Sequence, residues 1–139
     1  MASPDTLPRP WTIALWVARV LVAIPFFIAA GLEGLSSRAT LAEMDLVWIP
    51  GAPLWLVRVV AGIEGLAALG LILPGLVRLP MGIVTVSAAV LLVVQIAALW
   101  LDLAAGSLGD LPVKAVVLAL TLFILWVRLS AHRAEATAP

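Results

Sequence analysis

Cysteine is absent from this chain, and histidine occurs once, at His132. The first absence excludes a disulfide framework, a thiol redox pair, a Cys-ligated metal and an iron–sulfur cluster. The second leaves no b-type haem held by histidine from this chain alone, since His132 lies in the polar C-terminal stretch. Charge is scarce too. Only 12% of the residues are charged, against about 25% in a soluble domain. The eight basic and eight acidic residues cancel, which leaves no footprint for nucleic acid or for an acidic substrate. Gly-x-Gly-x-x-Gly is missing and no Ser/His/Asp set is available. No catalytic residue and no metal site is therefore assigned, and a non-catalytic subunit is favoured over a stand-alone enzyme.

What the chain has instead is apolar length. Hydrophobic residues make up 64% of its 139 positions, and the mean hydropathy is +1.20. This is the composition of a single membrane domain. The opening Met1 to Pro10 is polar and Pro-rich. About 20 apolar residues follow, longer than the 7–15 of a signal-peptide core, with no A-x-A-like cleavage site near Gly31, so the first stretch is expected to be retained.

Four stretches of membrane-crossing length are expected, at about residues 11–32, 53–73, 80–101 and 111–127. Helices are required because backbone polar groups in lipid must be satisfied within the segment. Pro74-Gly75 and Pro80 mark one connection, and Gly106 to Asp110 marks another. The long first connection holds Ser36 to Trp48, which mixes Leu41, Met44, Leu46, Val47 and Trp48 with Arg38, Glu43 and Asp45. That pattern fits a short interfacial helix. The expected fold is an all-α integral membrane four-helix bundle, up-down-up-down, with this helix in the first loop. Trp11, Trp55, Trp100 and Trp126 lie near span ends, where interfacial Trp belongs. Arg9, Arg78, Arg128 and Arg133 fall on one side, Arg38 and Lys114 on the other, with Arg58 close to that second face but submerged. The bias favours both termini in the cytoplasm.

Two ionisable residues lie well inside the apolar runs, Arg19 in the first and Glu64 in the second. A charge at mid-bilayer costs roughly 2.5–3.5 kcal/mol on insertion scales, so it normally faces a partner or a polar cavity. Counted from their span ends, the two lie at ~12 and ~13 Å and share a depth. An antiparallel hairpin would then bring them together as an intramembrane pair, which serves either function or helix register. A snorkelling Arg19 and a protonated Glu64 are the readings without contact. Nearer the other face, Glu33, Arg58, Gln95, Asp102 and Lys114 suggest an outer polar pocket, with Arg58 approaching Glu33. Plain solvation is the competing account for Glu33, Asp102, Asp110 and Lys114, and interhelical hydrogen bonding for Gln95. The words Gly31-Leu32-Glu33-Gly34-Leu35 and Gly62-Ile63-Glu64-Gly65-Leu66 are read as coincidence, because their flanks differ.

The chain resembles the DoxX-like family of small bacterial membrane proteins. The resemblance rests on Arg19; Ala30-Gly31-Leu32; the long first loop; Leu56 to Leu66 with Arg58, Gly62 and Glu64; Leu69-Gly70-Leu71-Ile72-Leu73-Pro74; and a last span with Arg128. The family often carries Lys where this chain has Gly34, and a His late in the third span, where this chain offers Gln95, Trp100 and Asp102. The resemblance implies a four-helix subunit of the bacterial inner membrane. It also implies, as in some members, an accessory role in a quinone-linked oxidoreductase system with a membrane or periplasmic redox partner. Quinone is the expected cofactor, bound non-covalently. The alternative is a lipid-binding or assembly-factor protein with no redox role.

Overall fold

The computed structural model describes residues 7–44 and 46–139. Among the described residues five helices follow one another: α1 (Arg9–Leu35), α2 (Arg38–Ala42), α3 (Leu54–Leu76), α4 (Gly82–Ala105) and α5 (Leu111–Ala136). The four long ones are each long and apolar enough to cross a membrane. They contact in the cyclic order α1, α3, α4, α5 and back to α1, so consecutive spans are neighbours and the ring closes. The start of α1, the α3–α4 turn and the end of α5 share one end of the bundle, here the terminal end. The opposite end holds α2 and the α4–α5 turn.

The spans run longer than the sequence reading put them. α3 continues through Pro74 and Gly75 to Leu76. Helices in lipid tolerate a proline because neighbours resatisfy the freed backbone groups. α5 continues nine residues past Val127, to Ala136, since nothing between Arg128 and Ala136 breaks a helix. His132 therefore sits on the last turns of α5, where Nδ1 lies 3.7 Å from Glu135 Oε2 on an exposed face. An exposed ion pair of this kind contributes little.

The first loop contains the short helix, but shortened to five residues. Ser37 caps it by accepting from the Thr40 N–H at 3.2 Å. Beyond it the chain turns in upon Leu41, Ile49, Ala52 and Val57, which are buried together. Arg38 fastens the loop by donating from Nη2 to the Ala52 carbonyl at 3.2 Å. Asp45, part of the expected amphipathic pattern, lies outside the described residues.

The main core gathers toward the terminal end. It comprises Leu15, Ala18, Val22, Ala23 and Phe26 of α1; Ala67, Ala68 and Leu71 of α3; Val84, Ala88 and Leu91 of α4; and Ile124 and Val127 of α5. Small residues set the close approaches. A Cβ on Gly70 would meet Ser87 on α4, and one on Gly75 would meet the Trp16 ring on α1. Farther along the α1–α3 seam, a Cβ on Gly65 would lie 3.4 Å from the Ala30 Cβ, and one on Gly34 would lie 3.7 Å from the Ala61 Cβ. Gly62, by contrast, is exposed, and a Cβ there would meet nothing within 4 Å. The outward faces carry large exposed apolar side chains such as Val17, Leu21, Ile24 and Ile28. Such a face suits lipid rather than water. Trp11, Trp55, Trp100 and Trp126 are exposed as well, and Trp11 and Trp126 meet with ring centroids 6.1 Å apart.

Candidate functional site

Arg19 is 1% exposed. Its Nε donates to the Leu71 carbonyl of α3, and its guanidinium lies 4.5 Å from the Trp16 ring centroid. The neighbouring Gly70 carbonyl sits four residues before Pro74, which has no N–H to offer it. Arg19 thus meets α3 one residue from the carbonyl that Pro74 leaves without an intrahelical donor. The face of Trp16 supplies a further attraction for the cation.

Glu64 is not its partner. Leu71 lies seven residues from Glu64, ~10 Å of helical rise. The equal-depth argument assumed helices with flush ends. Instead, Arg9 lies seven residues before Trp16, whereas Leu76 lies only one after the facing Gly75. α1 therefore overshoots α3 by about six residues, ~9 Å, and Glu64 is carried toward the level of Ala30.

Glu64 belongs with the outer polar residues. It is 6% exposed, as is Glu33, and the two are close enough for their charges to act on each other. Oε2 of each makes no hydrogen bond within the protein. Arg58 does reach Glu33, but through the backbone: Nη1 donates to the Glu33 carbonyl at 2.8 Å and Nη2 to the Ser36 carbonyl at 2.6 Å. These are among the carbonyls that a helix C-terminus leaves without intrahelical donors, and a cation there also complements the helix dipole. Lys114 is paired with Asp102.

A cavity of about 300 Å³ opens in this half. Glu64, Gln95, Lys114 and Asp110 supply its polar lining, and Pro25, Phe26, Val94, Ala98, Leu99, Val113 and Val117 are among its apolar walls. Gln95 donates from Nε2 to Thr121 Oγ1 at 2.8 Å, while its Oε1 makes no hydrogen bond. The Thr121 hydroxyl in turn donates to the Val117 carbonyl at 2.8 Å. The expected outer pocket thus divides. Gln95 and Lys114 line the cavity, Asp102 anchors Lys114, Arg58 holds the end of α1, and Glu64 joins from α3.

The sequence reading missed three contributors. Arg128 was placed at a span end, yet it is 2% exposed and acts on Arg19 by its charge. Unbroken helical sequence from Val127 to Ala136 was the signal for its burial. Thr121 is fully buried and fixes Gln95, and Trp16 stacks on Arg19. Nothing in a single apolar run marks those two.

In comparison with known proteins, a family model described as the DoxX-like family matches residues 17–124. No curated protein and no solved structure matches the chain.

Proposed function

The chain belongs to the DoxX-like family, and on that premise we propose that it is an accessory membrane subunit of a quinone-linked oxidoreductase system. The observation that carries the reading is the cavity of about 300 Å³ between α1, α4 and α5, apolar on its walls and polar at Glu64, Gln95 and Lys114. Ligand sites for cofactors are mostly apolar with a few placed polar groups. A quinone presents two carbonyl acceptors, and its reduced form presents two hydroxyl donors. The ammonium of Lys114 has three N–H groups, of which Asp102 engages one, and the Gln95 amide has an N–H beyond that given to Thr121. Glu64 Oε2 and Gln95 Oε1 stand ready to accept from hydroxyls. Both oxidation states thus find partners.

The chain has no cysteine and a single histidine. Electrons on this reading come from a redox partner protein at the membrane or in the periplasm. The setting proposed is the bacterial inner membrane, with the terminal end cytoplasmic. The competing reading, a lipid-binding or assembly factor with no redox role, draws on Arg58 and Lys114 as headgroup cations. Arg58 is engaged elsewhere, with both terminal nitrogens on the carbonyls of Glu33 and Ser36.

The test is quinone extraction from the purified full chain, with decyl-benzoquinone titrated into the protein in detergent. Retained quinone and saturable binding are expected, with binding weakened at least tenfold by Ala98→Leu, which fills the cavity. No retained quinone together with no saturable binding would sink the reading. Single cysteines at Ser107 and Ser130 test the orientation: in intact cells, only the one at Ser107 should react with a membrane-impermeant thiol reagent.

A further inference from the structure

The terminal end of the bundle holds a second constellation, remote from the cavity and independent of its function. Arg19 and Arg128 are 1% and 2% exposed, and each keeps a nitrogen that makes no hydrogen bond, Nη2 of Arg19 and Nε of Arg128. Among the described residues no carboxylate forms an ion pair with either. Among the described residues the surroundings are mostly basic. Arg9, Arg78 and Arg133 are exposed at the same end, and Glu135 is the one acidic residue described there, lying beside His132.

A buried carboxyl can shed its charge by taking up a proton, but a guanidinium does not lose its proton in a protein. Two such cations in one low-dielectric region repel each other, and each carries an unrecovered desolvation cost. The Leu71 carbonyl and the Trp16 face offset this for Arg19 alone. A counter-anion would resolve it for both. Arg favours planar, bidentate recognition of phosphate and carboxylate oxygens. Leu71, which marks the level of the Arg19 guanidinium, lies five residues from the end of α3, ~7.5 Å of rise. Trp11 and Trp126 meet at the same end, and Trp is enriched at the headgroup level of a bilayer. Basic pockets between membrane helices are known to take anionic headgroups.

We propose that Arg19 and Arg128 together form a binding site for a phosphate-class oxyanion at the terminal end of the bundle. The anion is either the headgroup of an anionic phospholipid or free phosphate, and bridges the two guanidinium groups. It acts as the negative charge that no described residue places against the two guanidinium groups.

The test uses the full chain in a non-ionic detergent, at ionic strength held constant with chloride. Inorganic phosphate and dioctanoyl-phosphatidylglycerol are the separate probes. At least one should raise the thermal midpoint saturably, with the half-saturating concentration increased at least tenfold in Arg128→Gln and in Arg19→Gln. A response to the lipid alone identifies a headgroup site, and a response to both identifies a general phosphate site. Native mass spectrometry of the unsubstituted chain, which needs no folded variant, should show a retained phospholipid or phosphate adduct. No response to either probe together with no adduct overturns the proposal. So does an Arg128→Gln variant that folds and responds like the unsubstituted chain. Asp5 lies outside the described residues; were it the counter-ion, a probe response would arise only in Asp5→Asn, and that result also overturns the proposal.

Discussion

At the terminal end of the bundle, Arg19 and Arg128 share their half with the close-packed core of Leu15, Val22, Leu71 and Ile124. At the α2 end, Glu33 and Glu64 share theirs with a cavity of about 300 Å³. The buried residues of α4 show the same division, since Val84, Ser87, Ala88 and Leu91 lie in its first half and Asp102 alone in its second. α5 mirrors it, with Ile124, Val127 and Arg128 in its second half and Thr121 alone in its first. One end is built to hold helices together, and the other leaves room. Packing supplies much of the association between helices in lipid, because hydrocarbon offers no hydrophobic gain between apolar faces. Stability should therefore reside at the terminal end, and tolerance to substitution at the other.

The largest expected contrast comes from truncation. Leu71→Ala empties a fully buried position and should cost about 3 kcal/mol, whereas Leu118→Ala, on the cavity wall, should cost less than about 1 kcal/mol. Thermal and denaturant unfolding in detergent measure both. Equal losses would break the division between the halves.

Enlargement probes the same contrast from the opposite direction. Gly70→Val must displace Ser87 and Ile83 on α4, and should destabilise by about 2 kcal/mol. Ala98→Leu grows into the cavity, and should leave the unfolding midpoint nearly unchanged while it blocks quinone. A clear stability loss in Ala98→Leu would mean that the α2 end is as tightly packed as the other.

Arg58 is the exception at the α2 end, because it ties α3 to the last turn of α1. Arg58→Met removes two charge-assisted hydrogen bonds to the carbonyls of Glu33 and Ser36, and should cost about 2 kcal/mol. Increased hydrogen exchange at Ser36 and Ser37, with α3 and α4 unaffected, would localise the effect. A loss spread evenly over the bundle would count against this role.

The smallest effect is a coupling. Arg19 and Glu64 belong to different halves, so the cycle of Arg19→Met and Glu64→Gln should be additive within about 0.5 kcal/mol. A coupling above about 1 kcal/mol would return the two residues to one site.

Much of this molecule is legible from its sequence. Hydropathy marks the four spans, and the turns at Pro80 and at Gly106 to Asp110 separate the last three. Arg19, Glu33, Glu64, Gln95, Asp102 and Lys114 stand out as polar residues that need company in lipid, and the structure buries four of them and half-buries Gln95 and Lys114. Their partners were not legible. Hydropathy tells which residues avoid water, but it is unchanged when one helix slides along another or turns about its own axis. Register was settled by close contacts between particular surfaces: Trp16 against Gly75, Ala30 against Gly65, Ala61 against Gly34. Those contacts push α1 about six residues past the end of α3, ~9 Å. The sequence by itself determined how many helices cross and which side chains must leave the lipid. Tertiary packing alone decided that Arg19 meets a carbonyl and an indole while Glu64 meets a cavity, because van der Waals fit between helices depends on shape, and shape is not a property of any one span.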